Sequence, residues 1–459
     1  MNKITAWKLP NRKKSQKTRE ALAVENYNSA VVIKENIHIL KKLSITPFSI
    51  IGQCLSGGIS LNFEQAFLGM TFVVASTNKS LFDNLKNLIK QGHEISSIKQ
   101  YQLLGPAQTF LTTMAIRARL NLLTPEEIAG MVAAGTMDVN TKLKFNPYVL
   151  EIGGMGGDKG FKINKKNKKV INASTLSALV LSSLGIPVLK HGGHRNTSPF
   201  GAVETIESLG VNIYQSSTRS IQELVKKTHF YFSATQVAKT FHDISQGPFG
   251  GYETITHLVG PMTPPIHKNT VFHKIFGMNG SVNPVHVAKA FEILNKKGYF
   301  KIGNIIILNG LDRFINKKKI PDPIMLMEHT ILDEVSPFST FLAIVQKGIY
   351  KGSFVLNPSD FGIQIDNKVF IKNKKEELSL ANKKAITGSV VHLRKYLAMN
   401  AALGLFAAKY LDKPDAIIGK SIINKQYLKE CYKICDIAIK TGKASRHLER
   451  IKKVSQKSL

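Results

Sequence analysis

The spacing of hydrophobic residues predicts a helical first part of the chain and a mixed α/β second part. Apolar side chains recur at helical intervals from about residue 61 to residue 135. Within that stretch, Thr124 suits a helix N-cap, Pro125 the first helical position, and Glu127 the position that completes a capping box. We therefore expect a helix that begins at Pro125 and continues through Ala134.

From residue 148 onward, short apolar runs alternate with amphipathic segments. The runs predict strands at 148–152, at 187–189, in the first half of 269–297, and at 304–308. The segments predict helices at 173–184, at 201–209, in the second half of 269–297, at 400–409, and at 424–440. Such alternation is typical of an α/β fold with a mostly parallel central sheet flanked by helices.

Changes in composition divide the chain into three predicted regions. Residues 1–45 form a basic, flexible arm, 46–143 a small all-helical domain, and 144–459 a large α/β domain. The α/β domain carries lysine-rich inserts at 162–169 and 313–330 and a basic tail after Lys440. We expect the lysine runs at 162–169, 317–319 and 372–375 to be solvated loops.

The charge balance points to anionic partners. The chain has 63 Lys and Arg against 31 Asp and Glu, a net charge of +32. Nucleic acid, a membrane surface or a phosphorylated small molecule would suit this charge, and so would a simple compositional bias toward lysine. No apolar run reaches the roughly 18 residues of a membrane span, and the N-terminus lacks the apolar core of a secretory signal.

Three cysteines cannot form a disulfide framework, which indicates a reducing compartment. A cytoplasmic location is expected, with an organelle such as a plastid as the alternative. Cys431 and Cys435 are spaced to share one face of a helix, and no neighbouring ligand suggests a metal site there.

The first motif that suggests a ligand-binding role is a glycine loop. Five glycines occur in the eight residues from Gly153 to Gly160, directly after a predicted strand. Glycines let a backbone approach a ligand closely and present its N–H groups to an anion. The spacing is neither GxGxxG nor that of a Walker A loop. A tight structural turn is the alternative interpretation.

Two further motifs favour anion binding. Asn172-Ala173-Ser174-Thr175 opens an apolar helix, where hydroxyl and N–H groups suit a phosphate, or simply cap the helix. The residues from Lys190 to Ser198 gather cations, hydroxyls and glycines after the next predicted strand. We do not expect its two histidines to bind metal.

The last motif is a pair of adjacent carboxylates, Asp333-Glu334, after an apolar stretch. Mg²⁺ prefers one or two carboxylates together with substrate phosphates, so the pair suits this ion. A solvated surface pair is the alternative. Asp360-Phe361-Gly362 is similar to a kinase motif, but no other kinase motif accompanies it, and we interpret it as structural.

Taken in order, these motifs resemble those of anthranilate phosphoribosyltransferase and its nucleoside-phosphorylase-like relatives. Where that family has GTGGDG, N-x-S-T, KHGNRxxSS and LDE(V/I)S, this chain has GGMGGDKG, NAST, KHGGHRNTS and LDEVS. Further similar segments are LTPEEIA at 123–129, TITHLVGPM at 254–262, NAAL at 400–403 and GKA at 442–444. The resemblance covers about 100–455.

The resemblance implies a homodimer that binds phosphoribosyl pyrophosphate and Mg²⁺ between the two domains. It implies transfer of the 5-phosphoribosyl group to a nitrogen acceptor, such as the anthranilate of tryptophan biosynthesis, without a catalytic side chain. It places the phosphoribosyl pyrophosphate site at Gly154, Gly156, Gly157, Asp158, Asn172, Ser174, Thr175, Lys190 and Ser198. It places the metal at Ser174, Asp333 and Glu334 and the acceptor near His191, Gly193 and Glu253.

Several departures from the family pattern affect the acceptor half of the site. The family's loop Thr is Met155, and the Asn after KHG is Gly193. The family's Arg that meets the anthranilate carboxylate falls on Glu253, which would repel a carboxylate. Two other functions remain open: a non-catalytic nucleic-acid-binding relative, and an enzyme similar to pyrimidine nucleoside phosphorylase.

Overall fold

A computed structural model describes ten stretches of the chain. They are residues 48–88, 99–138, 143–157, 159–163, 166–193, 200–214, 218–234, 255–316, 321–418 and 422–456. The predicted arm at 1–45 and the lysine run at 317–319 lie outside them, as do Asp158, Ser198 and Glu253.

The first part of the described chain is helical, as predicted. Its helices are α1 (Phe48–Ser56), α2 (Phe63–Thr77), α3 (Lys79–Leu88), α4 (Leu104–Arg119) and α5 (Pro125–Gly135). The predicted capping box at the start of α5 is confirmed: the Thr124 side chain accepts a hydrogen bond from the Glu127 N–H. Glu127 is fully buried and also accepts from the Leu61 N–H at 2.9 Å, which ties α5 to the start of α2.

A single large sheet forms the centre of the second part. Its strands run in the spatial order β10-β9-β7-β6-β1-β4-β5, and β8 pairs with β7. The five strands from β7 to β5 are parallel to their neighbours, whereas β8, β9 and β10 are antiparallel. The bounds are β1 Tyr148–Gly154, β4 Val188–Gly192, β5 Phe230–Ala234, β6 Val271–Gly277, β7 Lys301–Leu311, β8 Thr330–Leu332, β9 Thr340–Gln346 and β10 Ile349–Leu356.

Helices cover both faces of this sheet, which confirms the predicted fold class. They are α6 (Ala173–Ser183), α7 (Ala202–Ser208), α8 (Thr218–Thr228), α9 (Thr256–Met262), α10 (Pro284–Lys296), α11 (Pro323–His329), α12 (Lys375–Thr387), α13 (Val391–Leu405), α14 (Lys425–Lys440) and α15 (Lys443–Gln456). No helix in the described ranges is long and apolar enough to cross a membrane.

Each face of the sheet contributes to its own hydrophobic core, because side chains alternate along a strand. Val149, Leu189 and Phe276 pack with α2, α5, α9 and α10 of the helical side. Leu150, Ile152 and Val188 pack with α6, α13 and α14 on the other side. The helical first part of the chain therefore lies against one face of the sheet only.

The expectation of a loop at 162–169 is wrong, although most of the described residues there are exposed or partly exposed to solvent, as expected. The segment forms a hairpin of β2 (Phe161–Ile163) and β3 (Lys166–Lys169), and β3 also pairs with β11 (Ile371–Lys372). Lys169 is only 4% exposed. The hairpin is anchored by Phe161, whose ring lies 4.6 Å from that of Phe370 and 5.9 Å from that of Phe338 (centroid to centroid). Lys162, Lys166 and Asn167 nevertheless remain exposed.

Candidate functional site

The predicted motifs converge at the carboxyl ends of the parallel strands. β1 ends at Gly154, beside Gly277 at the end of β6, and β4 ends at Gly192. In open α/β sheets, ligands bind outside this edge. The turn that contains Asp333 and Glu334 crosses the same edge, because β8 and β9 before and after it both pair with β7.

The glycine loop is fitted closely around Asp333. The Gly156 N–H donates a hydrogen bond to Asp333 Oδ2 at 3.1 Å. A Cβ on Gly154 would lie 2.5 Å from that same oxygen, and a Cβ on Gly277 only 1.7 Å from the Asp333 carbonyl oxygen. Gly156 has a φ of +68° and Gly157 of +84°, which are left-handed conformations that favour glycine. These glycines allow the carboxylate to approach the backbone.

The start of α6 is fitted around Glu334. The Ser174 N–H donates to Glu334 Oε1 at 2.6 Å, and the Thr175 N–H donates to the Asn172 side chain at 3.2 Å. The carboxylate therefore lies where the helix dipole and free N–H groups favour a negative charge. The Thr175 side chain is fully buried, whereas Asn172 and Ser174 are partly exposed.

Burial perturbs two titratable groups here in opposite senses. Burial, together with the nearby Asp333 charge, raises the pKa of Glu334 to about 7. Burial lowers the pKa of Lys190 to about 8, against the attraction of Asp333 and Glu334. Lys190 is 3% exposed, and its ammonium donates to the His191 carbonyl at 2.8 Å. Strongly perturbed groups that lie together are typical of functional sites.

These residues fit a bound Mg²⁺. Two adjacent carboxylates meet here, Glu334 buried and Asp333 partly exposed. Burial and the charge of Asp333 raise the pKa of Glu334, so a bound cation would stabilise the pair in its ionised form. No cluster of three or more His, Cys, Asp and Glu suited to a metal occurs in the described residues. Mg²⁺ would therefore need water or substrate oxygens as further ligands, which is its usual mode of binding.

A second group of polar residues lies on the other face of the sheet. Lys274 and Glu151 form a fully buried ion pair, and His191 Nδ1 lies 3.5 Å from Glu151 Oε1. Burial alone would raise the pKa of Glu151, but the Lys274 ammonium and His191 hold it below its usual value. His191 is 7% exposed, and Gly193 accepts a hydrogen bond from the Val203 N–H.

Sequence reasoning missed four residues that shape the site. Asn279 donates to the Gly156 carbonyl at 3.2 Å, and Asn400 accepts from the Val335 N–H at 2.9 Å. Glu151 and Lys274 were also missed. Both are charged residues in the middle of apolar strands. Buried charges are rare unless they are paired, so this pattern could have predicted a buried ion pair.

The sequence of the sheet region matches the glycosyl transferase family a/b domain over residues 149–300. The chain is similar to anthranilate phosphoribosyltransferases: it is 29% identical to that of Saccharolobus solfataricus over 270 residues, which is 57% of this chain and 66% of the relative. It is 26% identical to that of Lactiplantibacillus plantarum, over 66% of this chain and 78% of the relative. These relatives are pentosyltransferases of the glycosyltransferase type.

Solved structures show the same fold. The anthranilate phosphoribosyltransferase of Thermus thermophilus superposes with a TM-score of 0.61 at 20% identity and covers 88% of this chain and 99% of its own. That of Saccharomyces cerevisiae, solved in complex with phosphoribosyl pyrophosphate and Mg, gives 0.58 at 20% identity, over 86% and 92% of the two chains. The predicted resemblance is confirmed, and the two other functions left open by the sequence are not favoured.

Proposed function

We propose that the chain is a Mg²⁺-dependent phosphoribosyltransferase. It would transfer the 5-phosphoribosyl group from phosphoribosyl pyrophosphate to a nitrogen acceptor and release pyrophosphate. The observation that carries this proposal is the convergence of the glycine loop, the start of α6, Lys190 and the Asp333–Glu334 pair at one edge of the sheet.

The residue types suit this chemistry. As the bond between C1′ and the pyrophosphate oxygen breaks, negative charge accumulates on the leaving group, and Lys190 would stabilise it. Bound Mg²⁺, held by Asp333, Glu334 and Ser174, would neutralise phosphate charge. The glycine loop (Gly154, Gly156, Gly157 and Asp158), with Asn172, Thr175 and Ser198, completes the proposed phosphoribosyl pyrophosphate site. A nitrogen lone pair then bonds to C1′, and the acceptor N–H loses its proton.

The acceptor is proposed to bind beside His191, Gly193 and Glu253, of which Glu253 lies outside the described residues. Anthranilate is the first acceptor to test, since it is the substrate named for the relatives. A screen for pyrophosphate release, with anthranilate and other aromatic amines, would identify it. We also propose a homodimer, for which light scattering should give twice the 50.8 kDa of one chain.

Binding of phosphoribosyl pyrophosphate tests the proposal directly. We expect the wild-type protein to bind it at micromolar concentration in calorimetry, and only with Mg²⁺ present. The double substitution Asp333→Ala, Glu334→Ala should abolish binding, because it removes the carboxylate ligands of the metal. No heat from the wild-type protein at millimolar ligand would refute the proposed function.

A further inference from the structure

Three ionisable side chains lie on the face of the sheet opposite to Lys190. Glu151 of β1 is in register with Lys274 of β6 and with Leu189 of β4, and His191 comes two residues after Leu189. Because side chains alternate along a strand, these three residues share a face. That face is the one covered by the helical part of the chain, and Lys190 lies on the other.

We propose that Glu151, fixed by Lys274, is a positioning residue that sets the tautomer of His191. In this proposal the imidazole ring is neutral and its Nδ1–H donates to the carboxylate. Nε2 then keeps a lone pair, which it offers to an N–H group of the acceptor. The role of Nε2 rests on the proposed function, whereas the tautomer does not.

The first support is a pair of unsatisfied buried atoms. Among the described residues, neither Glu151 Oε1 nor His191 Nδ1 has a hydrogen-bond partner within the usual limits, and the two atoms lie 3.5 Å apart. Leaving buried polar atoms unpaired is costly, and a small closing movement satisfies both at once. Such hydrogen bonds are often long without substrate and tighten when it binds.

The second support is the role of Lys274. Its ammonium contacts the other carboxylate oxygen, Glu151 Oε2, and donates to the Pro261 carbonyl of α9 at 2.9 Å. It thereby holds the carboxylate in one orientation, with Oε1 directed at His191, and compensates a charge that burial disfavours. A carboxylate that faces Nδ1 fixes which ring nitrogen carries the proton.

This arrangement defines the chemistry of the acceptor that His191 favours. An unprotonated Nε2 accepts a hydrogen bond but cannot donate one. It therefore favours an amine or ring N–H, and it disfavours an ionised carboxylate, which has no proton to donate. The nucleophilic nitrogen, rather than an acidic group, is then what the acceptor presents to His191.

The tautomer can be measured without any ligand. We expect ¹⁵N spectra of labelled protein, with His191 assigned by its loss in His191→Gln, to show Nδ1 protonated and Nε2 unprotonated. The Glu151→Met, Lys274→Met variant removes both charges at similar volume and should shift His191 toward the Nε2–H form. The matched Glu151→Gln, Lys274→Met variant keeps an oxygen acceptor and should retain the Nδ1–H form. A wild-type spectrum with Nε2 protonated would overturn the proposal.

Kinetics with anthranilate as the acceptor test the consequence. Glu151→Met, Lys274→Met should lower kcat/KM for anthranilate about tenfold and leave the KM for phosphoribosyl pyrophosphate unchanged. His191→Gln should lower kcat/KM for anthranilate by a similar factor. The triple variant Glu151→Met, Lys274→Met, His191→Gln should lower it no further, because all three residues act through one contact. Fully additive losses, or a loss confined to phosphoribosyl pyrophosphate, would contradict the proposal. If the wild-type protein does not turn over anthranilate, anthranilate is not its acceptor. The ¹⁵N spectra alone then test the proposed tautomer of His191.

Discussion

Burial tunes the pKa of Lys190, the side chain proposed to stabilise the leaving pyrophosphate. Burial lowers its pKa to about 8 because it disfavours the ammonium form, and a bound anion would stabilise that form again. A bound pyrophosphate would be such an anion. The same burial makes the charge sensitive to moderately alkaline pH, which an exposed lysine is not.

We therefore expect the affinity for phosphoribosyl pyrophosphate to fall by about tenfold between pH 8 and pH 9.5. The sign follows from the free protein: below the pKa of about 8 Lys190 is charged and affinity is constant, and above it each bound anion must also recruit a proton. Calorimetry across this range measures the effect. Lys190→Arg keeps its charge at every pH used and serves as control, so an equal decline in that variant would assign the effect elsewhere.

Gly277 is one of the described glycines at which the surrounding backbone leaves no room for a side chain. Gly277→Ala places a Cβ 1.7 Å from the Asp333 carbonyl oxygen, so the acidic turn must move. We expect a loss of about 2 kcal/mol in the free energy of unfolding, measured in urea, and a loss of binding of phosphoribosyl pyrophosphate with Mg²⁺. Gly105→Ala is the control, because nothing lies within 4 Å of its new Cβ. Normal binding by Gly277→Ala would contradict the described fit.

Among the elements, the β2–β3 hairpin was the least predictable. It continues the glycine loop, and its Phe161 belongs to an aromatic cluster with Phe338 and Phe370, to which Phe314 also packs. Phe338 follows the acidic turn closely in sequence. The cluster therefore connects both sides of the proposed pyrophosphate site, the glycine loop and the Asp333–Glu334 turn.

We expect Phe161→Leu to lower the affinity for phosphoribosyl pyrophosphate several-fold as well as the free energy of unfolding by about 1 kcal/mol. The physical reason is that the shortened side chain loosens the loop that begins at Gly153. Phe291→Leu, in the core between α10 and β6, should cost similar stability without changing the affinity. Equal affinities in both variants would show that the cluster only stabilises the fold.

The helices and parallel strands could be predicted because their signals are local. The capping box at Thr124 and the apolar run of β1 need no knowledge of the rest of the chain. The hairpin could not, because its stability comes from Phe370 and Ile371, some 200 residues away, which override a lysine-rich composition. The fit of Gly277 against Asp333 was likewise beyond prediction from sequence, since it depends on how two distant turns meet.

For the whole molecule, the net charge of +32 is larger than the proposed site needs. Residues 1–45 contain ten Lys and Arg against three Glu, and this segment lies outside the described residues. If the charge serves nucleic acid, affinity for DNA must decline steeply with salt, because each contact releases counterions.

If residues 1–45 bind DNA, log affinity against log salt should have a slope of several units in the full chain and a smaller slope without these residues. Phosphoribosyl pyrophosphate affinity should be the same in both proteins. Filter binding at several salt concentrations measures the slope. An unchanged slope in the shortened chain would place the DNA-binding charge elsewhere in the molecule.

The alternation along β4 places Lys190 and His191 on opposite faces of the sheet, although the two residues are adjacent. The strand would thus separate the proposed phosphate site on one face from the proposed acceptor site on the other. On this arrangement, substitutions on one face could change the acceptor without disturbing the proposed phosphate site on the other. The same geometry constrains the length of β4. An insertion or deletion of one residue before Lys190 would move each of the two side chains to the opposite face of the sheet.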